Sequence, residues 1–294
     1  MFKKFLQPVL VVLFILTAAS CANDNDLLME EARFLVDSCQ PSVAATLPNC
    51  TSAIAKVDQI QLTDPTNLDA AGLESSAYLA RAGFTALGLS SNLSGLNGDS
   101  AEDFAEFLDY IDTVEVENGS EIVLGDLRSS VTAVSGVLGV DGSSVTPGET
   151  NHWALYQLGM LQAVDAFIRP VKLAGTGAAD VSTTTIDATV ATTVKEDFVN
   201  ADNNITASGT TDTDILNPVR KNYCRCSLQT PSGGATAGFT AACLRDLMRC
   251  TLSTTLPTEQ DYDLDLDTDV TDCVALLTPT VGDFASCQTG NTVE

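Results

Sequence analysis

The sequence predicts a mainly α-helical fold, built from helical hairpins and stapled by disulfide bonds. Apolar residues recur three or four positions apart through most of the chain, which is the spacing of one helix face. Stretches in which apolar and polar residues alternate, as they do in half-buried strands, are few. Eight of the nine cysteines lie between Cys39 and Cys287, and an even number in an exported chain favours disulfide bonds.

The amino terminus has the pattern of a secretory signal peptide over residues 1–20. Lys3 and Lys4 supply the positive charge, residues 5–16 are largely apolar, and residues 18–20 are the small residues that a signal peptidase needs. The apolar run is shorter than the roughly 20 residues that a membrane-spanning helix requires. We therefore expect an exported protein whose mature chain begins with a polar stretch.

Three small residues followed directly by Cys21 resemble the lipobox of bacterial lipoproteins. The resemblance implies that Cys21 carries the lipid, that residues 21–26 form a tether, and that the protein is anchored in the cell envelope. In that family an aspartate after the cysteine favours the inner membrane. Ala22 stands there, which implies the outer membrane, facing the periplasm. The alternative is an ordinary signal peptide with an unmodified Cys21.

Residues 27–173 are expected to form a domain of helical hairpins. Asn49, Ser100 and Ser120 are predicted N-caps of the second, fourth and fifth helices, and residues 41–48 are a predicted loop between prolines. The apolar stripes are Leu28, Ala32, Leu35 and Cys39; Ala53, Val57 and Ile60; Leu73, Ala77, Tyr78 and Leu79; Phe104, Phe107, Leu108 and Ile111; and Val123, Leu127, Val131, Val134 and Leu138. A sixth helix, residues 149–168, is apolar on several faces, and Pro170 is predicted to kink or end it.

Residues 27–88 resemble a tetratricopeptide repeat. Ala53, Val57 and Ile60 stand at the small and apolar positions before Pro65, residues 64–67 match the inter-repeat turn, and Tyr78 and Phe84 match aromatic positions of the next repeat. Glu74 stands where the family has an apolar residue. The resemblance implies a TPR-like α–α bundle or short solenoid, because such hairpins bury their apolar faces by stacking on one another.

The rest of the chain divides into two regions. Residues 174–214 are rich in Thr, Ala and Asp, and we expect a linker or a mobile loop that contains one helix through Ile186, Val190, Val194 and Phe198. Residues 215–294 are expected to form a cysteine-rich helical region packed on the same body. A helix there places Phe239, Cys243, Leu247 and Cys250 on one face.

Without Cys21, the cysteine count is even and predicts four disulfides. They would join Cys39, Cys50, Cys224, Cys226, Cys243, Cys250, Cys273 and Cys287. Proximity in the sequence favours Cys39 with Cys50, Cys224 and Cys226 with Cys243 and Cys250, and Cys273 with Cys287. A zinc site at Cys224, Cys226, Cys243 and Cys250 is the alternative, although their spacing is not that of a zinc knuckle or ribbon.

No residue pattern predicts catalysis. His152 is the only histidine, which rules out multi-histidine metal sites, and it is expected to be structural or on the surface. A candidate calcium site alternates carboxylates at Asp261, Asp263, Asp265, Asp267 and Asp269. Leu266 occupies the glycine position of the calcium loop of an EF-hand, so an extended segment is equally compatible with the pattern. We expect no cofactor.

The charge and the signal together predict a function class. A net charge of −25 argues against nucleic acid as a partner, because the phosphates would repel the protein. The leading hypothesis is a non-catalytic, lipid-anchored scaffold that binds a protein partner in the periplasm. The alternative is an accessory lipoprotein of a transport system that binds a small ligand near Trp153 and Tyr156.

Overall fold

Eight α-helices make up most of the part of the chain that this computed structural model describes. That part comprises residues 24–41, 43–85, 88–89, 91–92, 110–111, 114, 124–142, 151–174, 184–210, 213–227 and 239–252. The helices are α1 (Asp24–Asp37), α2 (Leu47–Gln61), α3 (Leu68–Arg81), α4 (Leu124–Leu138), α5 (His152–Ala174), α6 (Ala188–Ala207), α7 (Thr213–Ser227) and α8 (Ala241–Leu252), with a 3₁₀ turn at Ala44–Thr46. These residues contain no strand, which confirms the mainly α prediction.

The helices pack largely in the order of the sequence. Each helix from α1 to α6 contacts the next, α1 also reaches α3, and α8 contacts α5, α6 and α7. One hydrophobic core extends from Leu79 in α3 to Met248 in α8, so helices from residues 27–173 and from residues 215–294 share it. This order of packing is found in helical bundles and in hairpin arrays alike.

The periodicity of the sequence identifies the buried faces correctly. Leu127, Val131, Val134 and Leu138 are buried along α4, as their spacing predicts. Asn67 is the N-cap of α3, because its side-chain oxygen accepts a hydrogen bond from the Ala70 N–H at 3.0 Å. That bond satisfies one of the backbone donors that a helix start leaves unpaired.

The predicted N-cap at Asn49 is wrong. Helix α2 already begins at Leu47, with Pro48 in its first turn, where the missing N–H of proline removes no hydrogen bond. Asn49 instead donates from Nδ2 to the carbonyl oxygen of Ser38 at 3.2 Å, which links the end of α1 to the start of α2. The disulfide between Cys39 and Cys50, with Cα atoms 5.3 Å apart, closes the same hairpin.

Pro170 does not end α5, since the helix continues to Ala174. Proline removes one intrahelical hydrogen bond and costs about 3 kcal/mol in a helix interior. Here it is buried with Phe167, Ile168 and Val171, and this packing holds the last turn in place.

Residues 188–207 form the helix that the sequence predicts inside residues 174–214. They form α6, which makes with α5 the most extensive helix–helix contact in the described part of the chain. Val194 and Phe198 are buried, and the Phe198 ring meets the Phe167 ring of α5 edge to face at 5.1 Å between centroids. Asp187 caps the helix by accepting from the backbone N–H groups of Thr189 and Val190.

The carboxyl-terminal helices are joined by cystine. Cys226 of α7 is bonded to Cys243 of α8, with Cα atoms 5.5 Å apart, and Cys224 is also disulfide-bonded and fully buried. Cys226 and Cys243 therefore have no thiolate to offer zinc, which argues against the zinc site.

Several residues of the sequence-based predictions lie outside the described residues: Cys21, Ser100, Phe104, Phe107, Leu108, Ser120, Val123, Cys273, Cys287 and the carboxylates of residues 261–269. Of Cys250, only the backbone is described.

Candidate functional site: a groove between α2, α3 and α4

An open groove of about 590 Å³ lies between the α2–α3 hairpin and α4. Its walls come from two neighbouring segments of the α2–α3 hairpin and from α4, which is far from both in sequence. They are Gln61 and Pro65 at the end of α2 and in the following turn, Glu74 and Tyr78 of α3, and Gly125, Arg128, Ser129, Thr132, Ala133, Gly136 and Val137 of α4. The groove is therefore a product of how these helices pack.

Small residues on the outer face of α4 form one side of the groove. Gly125, Ser129, Ala133 and Gly136 follow one another at intervals of three or four, so they share a face of the helix. A Cβ atom added to Gly136 would meet no other heavy atom within 4 Å, which shows that the space beyond it is open. Small side chains let the main chain of a bound segment approach a helix closely.

Glu74 is a buried carboxyl in the opposite wall. Only 9% of the residue is exposed, and Gln61 Nε2 donates a hydrogen bond to its Oε2 at 2.8 Å. Burial raises the pKa of Glu74 above 4.5, and the negative charge of Asp58 adds to this, whereas the bond from Gln61 lowers it. The polar residue that departs from the repeat pattern is thus a part of the groove wall.

Tyr78 stands one turn along α3 from Glu74 and also lines the groove. The guanidinium carbon of Arg81 lies 5.1 Å from the centre of its ring. Arg81 in turn binds both carboxylate oxygens of Asp126, with Nε 2.7 Å from Oδ2. Burial raises the pKa of the Tyr78 phenol, and the charge of Glu74 raises it further.

Arg128 connects the groove to a buried charge cluster. Its Nη1 donates to Asp197 of α6 at 2.7 and 2.8 Å and to Asp165 of α5 at 3.1 Å. Arg169 binds both oxygens of Asp165 from the next turn of α5, at 2.8 and 2.9 Å. The Asp165 and Asp197 side chains are almost fully buried, whereas 39% of the Arg128 side chain is exposed.

The pKa of Asp197 is raised to about 7. Loss of hydration is the largest cause, the neighbouring charge of Asp165 is the second, and Arg128 opposes both. Sequence analysis missed this cluster. The available signal was Asp165 and Arg169, two charges one turn apart in an otherwise apolar helix.

The aromatic residues of the predicted small-ligand site do not line this groove. Trp153 is 47% exposed, and its ring lies over Gly72 of α3, whose added Cβ would be 3.1 Å from the Trp153 Cη2 atom. Tyr156 packs against Ile205 and Leu216. His152 is exposed at the start of α5.

Within the described residues, no group of three or more His, Cys, Asp or Glu side chains is placed to hold a metal ion. In the same residues, no helix is long and apolar enough to cross a membrane. No protein-family model, curated protein or solved structure matches the chain.

Proposed function

We propose that this chain is a lipid-anchored, non-catalytic protein of the cell envelope, which binds a segment of a protein partner in the groove between α2, α3 and α4. The groove itself is the observation that carries the proposal. It is open to solvent, it is walled by small and polar side chains, and Gly136 leaves free space beside α4. Pockets for small molecules instead bury most of the ligand.

The lining chemistry supports binding over hydrolysis. Hydrolysis of a glycosidic bond uses two carboxyl groups that face each other across the substrate, about 5–10 Å apart. Among the described residues, Glu74 is the carboxyl that lines the groove. Asp165 and Asp197 lie behind Arg128, and their oxygens accept its hydrogen bonds.

The anchor is proposed from the sequence alone. Cys21 follows three small residues and precedes a polar stretch, as the lipid-carrying cysteine of a bacterial lipoprotein does. Metabolic labelling with a fatty-acid probe should mark the wild-type protein in the membrane fraction. Cys21→Ser should lose the label and move to the soluble fraction; label retained by the variant would contradict the anchor.

Site-specific photocrosslinking in cells tests the groove. A photoreactive residue at Thr132, which is exposed in the groove, should give a discrete crosslinked product. The same residue at Thr192, exposed on α6 and outside the groove lining, is the matched control. Gly136→Trp fills the groove and should abolish the Thr132 product. Equal products at both positions, or a product that survives Gly136→Trp, would contradict binding in the groove.

A further inference from the structure

The arginines around the groove are already paired, whereas Glu74 is not. Arg81 is bound to Asp126, and Arg128 is bound to buried carboxylates behind the groove. Among the described residues, Glu74 forms no ion pair, and its hydrogen bond comes from the uncharged amide of Gln61. A buried carboxylate without a cation is unfavourable, because it has lost water and gained no opposite charge.

The geometry points to a partner segment that places a lysine or arginine side chain beside Glu74, an inference that rests on the proposed function. Glu74 lies in the wall of an open groove, so a cation can reach it from solvent without opening the core. An incoming cation would supply the charge that the buried carboxyl lacks. Such pairs between a charged donor and a carboxylate make strong, directional hydrogen bonds.

The other charged residues near Glu74 also favour a positively charged ligand. From α2 it faces Asp58; from α4, Asp126 and Arg128 are held in pairs of their own. On α3, the Tyr78 phenol lines the groove and can accept a hydrogen bond from the cation. Between α1 and α2, Glu31 and Lys56 neutralise each other. Among the described residues, the charged side chain that lines the groove without an ion pair is therefore the negative Glu74, and the net charge of the whole chain is also negative.

Peptide selection tests the inference without knowledge of the natural partner. A library of random twelve-residue peptides would be selected on the purified full chain and, in parallel, on Gly136→Trp. Peptides that bind only the open groove would be synthesised, together with copies in which each lysine or arginine is replaced by glutamine. We expect one such replacement in each peptide to weaken binding at least tenfold.

Two carboxyl-to-amide variants localise the effect. Glu74→Gln should bind the original peptide as weakly as wild type binds the glutamine copy. Asp69→Asn removes the same charge from an exposed position of α3 outside the groove, and its affinity should stay within twofold of wild type. Lowering the pH should weaken binding to wild type and leave Glu74→Gln unaffected, because protonation removes the charge that attracts the cation.

The outcomes separate this inference from the proposed function. Groove-dependent peptides that tolerate every replacement, or that bind Glu74→Gln normally, overturn the cationic ligand and leave binding in the groove standing. A selection without any groove-dependent peptide overturns the proposed function, and the inference with it. Far-ultraviolet circular dichroism confirms folding of each variant, and Thr132→Trp serves as a second blocking variant.

Discussion

Two glycines that both lie inside helices should respond in opposite ways to an added methyl group. Gly159 of α5 faces α6, whereas Gly136 of α4 faces the open groove. A Cβ at Gly159 would come within 2.6 Å of Ile205 Cγ1, 2.9 Å of the Ala201 carbonyl oxygen and 3.0 Å of the Ile205 nitrogen. Two of these atoms belong to the main chain, which cannot rotate away. The helices would have to move apart.

The magnitude follows from two opposing terms. Replacing glycine by alanine inside a helix stabilises it by up to about 1 kcal/mol, because glycine loses more backbone entropy on folding. Overpacking a close contact costs about 1–3 kcal/mol. At Gly159 the upper part of that range, about 2–3 kcal/mol, applies, because all three contacts are 3.0 Å or shorter and two of them are with the main chain. After a helix-propensity gain of about 1 kcal/mol is subtracted, Gly159→Ala should lower the free energy of unfolding by about 1–2 kcal/mol, and Gly136→Ala should raise it by about 0.5–1 kcal/mol.

Urea unfolding followed by circular dichroism at 222 nm, with the disulfides intact, measures both changes. The two variants share the gain in helix propensity, so the difference between them, about 2–3 kcal/mol, reports the α5–α6 contact. A Gly159→Ala protein that is as stable as wild type would refute the close approach of the helices. Loss of stability in Gly136→Ala would refute the open space beside α4.

Three further predictions use the same purified protein. Burial and the neighbouring charge of Asp165 raise the pKa of Asp197 to about 7 in the folded protein, well above its ordinary value in the unfolded chain. The folded state therefore holds more protons than the unfolded state between these two values, so the free energy of unfolding should fall as pH rises from about 4 to 7. Urea unfolding from pH 4 to 8 should show that Asp197→Asn lacks this part of the slope; an unchanged slope would argue against a raised pKa. Replacing Cys39 and Cys50 together by serine should lower the free energy of unfolding by about 3 kcal/mol, because without this cross-link the unfolded chain has more conformational entropy. An unchanged urea midpoint would contradict this. Gly72→Ala should press on the ring of Trp153, the only tryptophan, and increase its quenching by acrylamide; unchanged quenching would mean that the ring does not rest on Gly72.

The helices and their buried faces could be read from the sequence because helical periodicity is a local property. Leu127 and Val131 of α4, and Val194 and Phe198 of α6, are buried as their spacing predicts. The errors arose where packing or a local contact outweighed a residue preference. Helix α5 continues to Ala174, beyond the predicted end at Ile168, because Pro170 is tolerated in its buried surroundings, and α2 begins two residues before Asn49 because Pro48 suits a first turn.

The composition of residues 174–214 suggested a linker or a mobile loop around one predicted helix, and that helix is α6. Threonine, alanine and aspartate are not strong core formers, yet α6 packs closely on α5. Small residues permit this approach, since Ala201 and Gly159 bring the two main chains near each other. A composition that suggests a linker can therefore also suit a tightly packed helix pair.

By itself the sequence determined the helical class, the stripes that face the core and a short-range cystine pair 11 residues apart, because each depends on neighbours along the chain. Only the tertiary structure decided the groove and the charges around it. Arg128 meets Asp165 and Asp197 across 37 and 69 residues of sequence. No local sequence pattern predicts such contacts, because they depend on which helix faces pack together and at what distance.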